Sequence, residues 1–176
     1  MSRYSTEIAS IFDEADRRSE RYLSLLKREG DLPSIVLRGH LVLEELLYQW
    51  LHSHCLSPEH LDDARLRFSQ LVPLVRALQK IPVGPPSLWQ SLSKLNTLRN
   101  ALAHNLEPPR LSEKVSDFVS CSLGAERTAI LTSHDDSPNS VAIALCFLLG
   151  QLEALGVFAE SVEYIIAKRV SEVSGR

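Results

Sequence analysis

A stripe of apolar residues near the C-terminus leaves little room for anything but helix. Val141, Leu145, Leu148, Leu152, Leu155, Ala159, Val162 and Ile166 recur at spacings of four and three, which places them on one helical face and does not fit the two-residue alternation of a strand. The stripe covers about 30 residues, or about 45 Å at 1.5 Å per residue. A helix of that length spans a whole bundle or reaches a partner chain. Ser137-Pro138 supplies an N-cap and a first-turn proline, so the helix is predicted over about residues 138–171, with Gly150 and Gly156 as places where it bends.

The rest of the chain also reads as helix after helix. Ser5–Glu29 is amphipathic, dense in mixed charge and ended by Gly30. Pro33 opens a second helix to about Cys55, apolar nearly all round through Ile35, Val36, Leu37, Leu41, Val42, Leu43, Leu46, Leu47, Trp50 and Leu51. A helix without a polar face is central. A third segment starts at Ser57-Pro58 and continues to Lys80, with a break expected before Pro73. After the stiff connector Ile81–Pro86, Ser87 and Gln90 are placed to form a capping box for a fourth helix, which Pro108-Pro109 stops. A short helix over Leu111–Cys121 follows. The polar stretch Gly124–Asn139 comes next, with Thr128–Thr132 as the one locally extended candidate. The expectation is an all-α bundle of five to seven helices, a single domain over residues 1–176.

Composition narrows the functional classes. The chain has 176 residues, 44% of them apolar, enough for one self-sufficient core without disulfide or metal staples. Its net charge of −3 argues against a non-specific polyanion binder. The charge is uneven, however. From His60 to Arg110 there are seven basic residues (Arg65, Arg67, Arg76, Lys80, Lys94, Arg99, Arg110) against three acidic ones (Asp62, Asp63, Glu107), a basic middle in an acidic chain.

Cys55, Cys121 and Cys146 are odd in number and far apart, which fits a reduced, cytoplasmic protein. The N-terminus has acidic residues where a signal peptide needs an apolar core. The longest apolar run, Val141–Gly150, is shorter than the roughly 20 residues a membrane span needs. No membrane partner is therefore expected. His52 and His54 stand about 200° apart on a helix and cannot share a metal, and His134-Asp135-Asp136 sits in a polar loop. There is no glycine-rich phosphate loop, Gly-x-Ser-x-Gly or Cys-x-x-Cys, so neither metal nor cofactor is expected. The aromatic residues are scattered and form no platform for stacked bases.

The chemistry-bearing residues lie on the fourth helix. Leu88, Leu92, Leu95, Arg99, Leu102 and Leu106 follow a four-three spacing, so Arg99 interrupts an apolar seam. A guanidinium there is costly unless an anion meets it: an internal carboxylate such as Glu44 or Glu45, a phosphate, or a group on a partner. Asn100 and His104 are one turn apart, which lets the amide orient the imidazole. His104 also lies in the last turn, where the helix dipole favours imidazolium. Arg99 and His104 are five apart, about 140° around the axis, so two copies of the helix about a two-fold axis would join them more easily than one. On the second helix, His40 and Glu44 are spaced to hydrogen-bond, either as a core pair or in support of a neighbouring site.

Leu98-Arg99-Asn100-Ala101-Leu102-Ala103-His104-Asn105 resembles the RNxxxH signature of the HEPN superfamily of all-α domains. The context is similar too: an earlier helix with an acidic residue among leucines (His40 to Leu47), then the segment LRFSQLVPLVRAL of residues 66–78. The resemblance covers about residues 33–107.

It implies a metal-independent endoribonuclease of the toxin or phage-defence type, with RNA as substrate. In such a homodimer the two motifs form one composite site. It makes His104 the acid or base, Arg99 the phosphate clamp and Asn100 the orienting group, with Glu44 and His40 as supporting positions. It also implies a possible antitoxin or regulatory protein. Leu106 stands where HEPN toxins paired with a nucleotidyltransferase carry a modified Tyr, so that mode of regulation is not expected. The superfamily also contains members that do not cleave RNA, and the alternative is a regulatory module binding a partner protein or a nucleotide.

Overall fold

A computed structural model describes residues 3–26, 29–79, 84–124, 128 and 137–174. Seven helices and no strand occur among them: α1 (Arg3–Leu26), α2 (Leu32–Ser53), α3 (Glu59–Ala64), α4 (Phe68–Leu78), α5 (Pro86–His104), α6 (Leu111–Leu123) and α7 (Ser137–Ser174). The all-α expectation holds.

α2 is the centre of the bundle, packed against α1, α4, α5 and α7. Asp31 starts it: the carboxylate accepts from the Ser34 N–H at 3.0 Å, and a proline occupies the first turn, which satisfies one orphan donor. Ile35, Val36, Val42, Leu43, Leu46, Leu47 and Leu51 are buried, as its composition predicts. Two leucines depart from the pattern. Leu37 and Leu41, one turn apart, are 45% and 53% exposed because no helix among the described residues covers that side. α5 runs antiparallel to α2, with Leu88, Leu92, Leu95 and Leu98 in the core, and α6 folds back on α5.

α7 runs unbroken through Gly150 and Gly156. At 38 residues it is about 57 Å long. Val141, Leu145, Leu148 and Leu152 are buried against α1, α2 and α6, while Ile166, on the same stripe, is 53% exposed. The stripe outruns its partner: His54, just past the end of α2, is already level with Glu163. Within Pro138–Glu172 this helix contains an 18-residue window long and apolar enough to cross a bilayer (mean hydropathy 2.1), and half of that window is buried inside the bundle.

Two local expectations are corrected. The third segment breaks at Arg65–Arg67, not before Pro73: Arg65 takes a left-handed conformation (φ 46°), and Pro73 is accommodated inside α4. The capping pair of this region is Arg67 and Gln70, where the Arg67 N–H donates to Gln70 Oε1 at 2.9 Å. Ser87 and Gln90 form no capping box. Pro85 is the cap of α5 with Pro86 after it, which puts Ser87 one position inside the helix. Within Thr128–Thr132 only Thr128 is described, and it is helical. His134-Asp135-Asp136 lies outside the described residues. None of the three cysteines forms a disulfide among the described residues, and all are half-buried.

Candidate functional site

The C-terminal half of α5 meets the N-terminal half of α2, and every site residue predicted from sequence lies near this junction. A groove of about 250 Å³ is lined by Pro33, Val36 and Leu37 of α2 and by Arg99, Leu102 and Ala103 of α5. Arg99 is half-buried at its edge. Neither Glu44 nor Glu45 neutralises it: Glu45 pairs with Arg21 at 3.0 Å, and Glu44 lies beside His40. Its one side-chain hydrogen bond among the described residues runs from Nη1 to Asn100 Oδ1 at 3.1 Å, while the buried Nε has no acceptor. The structure thus holds a cation in a mostly apolar groove with only a neutral partner among the described residues. An incoming anion would meet it more favourably.

That bond changes the expected role of Asn100. Its carbonyl is engaged by Arg99, and among the described residues it makes no hydrogen bond to His104. His104 ends α5 and is exposed. Asn105 caps the same turn by donating from Nδ2 to Ala101 O at 3.1 Å, which leaves the imidazole free for solvent or ligand. On this regular helix Arg99 and His104 remain about 140° and 7.5 Å of rise apart. One chain therefore brings Arg99 and Asn100 together but not Arg99 and His104.

Behind Arg99 lies a buried polar cluster. His40 is 4% exposed, with Nε2 3.3 Å from Asn96 Oδ1 and its ring 4.3 Å from that of Phe68. The expected hydrogen bond to Glu44 is not formed. Nδ1 lies 3.8 Å from the carboxylate, beyond hydrogen-bond reach, and has no acceptor or donor of its own. Burial pushes the His40 pKa below its ordinary value. Glu44 and the Asn96 bond oppose that shift, and the nearby Arg99 charge adds to it. A neutral ring donating from Nε2 to Asn96 satisfies these constraints. Sequence reasoning missed Asn96. It pairs across helices with a residue 56 positions away, and within α5 it looks like any polar residue beside a leucine seam.

The antiparallel α4–α5 hairpin also brings Arg65 and Arg67 to this end of the bundle, since Phe68 touches the same His40 that Asn96 contacts. The basic middle of the sequence thus contributes to one end of the molecule. Among the described residues, no three His, Cys, Asp or Glu side chains converge as metal ligands would. No family model, curated protein or solved structure matches this chain.

Proposed function

We propose that the protein is a HEPN-type, metal-independent endoribonuclease that cleaves RNA at a composite site between two copies of α5, in the cytoplasm, in a toxin or phage-defence setting. The observation that carries this reading is Arg99: a half-buried guanidinium with an unsatisfied Nε and no carboxylate partner among the described residues, five positions before an exposed His104. Cleavage of RNA needs a base to take the proton from the 2′-hydroxyl as that oxygen attacks phosphorus. It also needs an acid to protonate the departing 5′-oxygen, and a cation on the phosphoryl oxygens. His104 of one protomer serves as base, its two-fold mate as acid, and Arg99 as the clamp. Asn100 holds Arg99 in position through the bond already described. The exposed Leu37 and Leu41 flank the groove and would be covered by the second copy. His40 and Glu44 act behind Arg99, as positioning residues.

The test is incubation of the purified protein with total cellular RNA in EDTA, with His104→Ala in parallel. Discrete fragments ending in a cyclic or 3′-phosphate, from the wild type alone, are expected. DNA cleavage, or activity lost with the chelator, would overturn the reading. A second reading, a non-catalytic module binding a partner protein or a nucleotide, draws on the exposed Phe158, Ile165, Ile166 and Val170 of α7. It predicts that this face matters to function and that Arg99 and His104 do not.

A further inference from the structure

Toward the opposite end of α2 from the Arg99 groove, α1, α2, α5 and α7 enclose a second cavity, of about 100 Å³. Its walls include Trp50, Trp89 and Leu155, and its polar lining includes Arg18, Glu153 and Glu160. Arg18 and Glu153 neutralise one another: Nε donates to both carboxylate oxygens at 3.0 and 3.1 Å, and Nη2 donates to Oε2 at 2.7 Å. Glu153 is 5% exposed and fully committed to that pair. Glu160 is different. It is half-buried on the same wall, yet it makes no hydrogen bond or ion pair with any described residue. The lining therefore carries a carboxylate that makes no hydrogen bond to a described residue, feels the Arg18 and His54 charges through space, and has its pKa raised by burial, beside two indoles and an aliphatic wall.

We propose that this cavity is a binding site for the ammonium group of a short aliphatic amine. The cation would meet the Glu160 carboxylate, the Trp89 indole would add cation–π attraction while Trp50, stacked on His54 at 3.8 Å, closes the wall, and the alkyl chain would lie against Leu155. An anion is disfavoured because the Arg18 charge is already paired with Glu153 and also faces the Glu160 carboxylate. The volume sets the scale, since a dry apolar cavity of about 150 Å³ accommodates benzene. At 100 Å³, an amine of three or four carbons is the largest that fits without projecting into solvent. This assignment is independent of the ribonuclease reading, because it shares no residue with the Arg99 groove.

Trp50 and Trp89 are the only tryptophans in the chain and both line the cavity, so the intrinsic fluorescence of the intact protein reports on it directly. Titration with propylammonium chloride at constant ionic strength should change that fluorescence saturably, whereas propanol and sodium propionate should not. Glu160→Gln keeps the shape and removes the charge, and should weaken the response about tenfold or more. Gly156→Val is the second variant. A Cβ there sits 4.0 Å from Trp50 Cδ1, ordinary contact, so the helix is retained while the added methyls occupy the cavity. Loss of the response in both variants, with unchanged helicity, supports the site. No saturable change, an equal response to propanol, or a full response in either variant overturns it.

Discussion

Arg99 and His104 differ in what their loss does to the folded state. The Arg99 guanidinium has a neutral partner and a buried Nε without an acceptor, so its removal takes away little native-state stabilisation. Arg99→Ala is expected to melt within about 1 kcal/mol of wild type while abolishing RNA cleavage. His104 is exposed, and His104→Ala should leave stability unchanged while reducing cleavage by about 10²- to 10⁴-fold. Unfolding of both variants would instead make the pair structural.

His40 carries the pH dependence. Its folded pKa is held below the ordinary 6.5, chiefly by burial, so the unfolded chain takes up the proton first. The corresponding stability is present above about pH 6.5 and is lost as pH falls from there through the folded pKa. Chemical denaturation of wild type between pH 7 and pH 5 should show that decline, and His40→Gln should flatten it. Equal slopes in both proteins would place the titration elsewhere. Arg99, Asn100 and His104 were legible in the sequence because they share one helix and follow its periodicity. Asn96 was not, since its partner comes from another helix.

At the scale of elements, α2 and α7 are held close by a glycine. A Cβ at Gly39 would stand 2.4 Å from both terminal methyls of Leu145, itself fully buried. Gly39→Ala should therefore destabilise. At a contact this short the overpacking cost of about 1–3 kcal/mol exceeds the roughly 1 kcal/mol that alanine gains over glycine in a helix. Gly150 is the control: it lies inside α7 with nothing within 4 Å of its would-be Cβ. Gly150→Ala should stabilise by about 0.5–1 kcal/mol. Thermal unfolding of the two variants gives opposite signs if α2 and α7 pack as described. The sequence marked Gly150 and Gly156 as places where the helix could bend, and α7 stays helical through both. An isolated glycine weakens a helix without breaking it when neighbouring side chains bury the rest of the face.

The whole molecule leaves Leu37 and Leu41 on its surface beside the groove that contains Arg99. If a second copy covers them, Leu41→Glu should convert a dimer to a monomer at micromolar concentration and remove RNA cleavage with it, while the monomer keeps its helicity. Sedimentation or light scattering combined with the EDTA cleavage assay reads both outcomes. A monomeric wild type would count against a composite site, and a Leu41→Glu dimer would locate the interface elsewhere.

What the amino-acid sequence determined here is what repeats along a single helix. Helix existence, the central place of α2, the length of α7 and the alignment of Arg99, Asn100 and His104 near the end of α5 all follow from spacings of three and four. Tertiary structure decided what depends on distances between helices. It paired Glu45 with Arg21 and His40 with Asn96, left Arg99 without a carboxylate among the described residues, and joined Trp50 and Trp89 with Glu160 around one cavity. Periodicity fixes the direction of a side chain about its own axis, whereas burial and ion pairing depend on which other axis lies within a few ångströms.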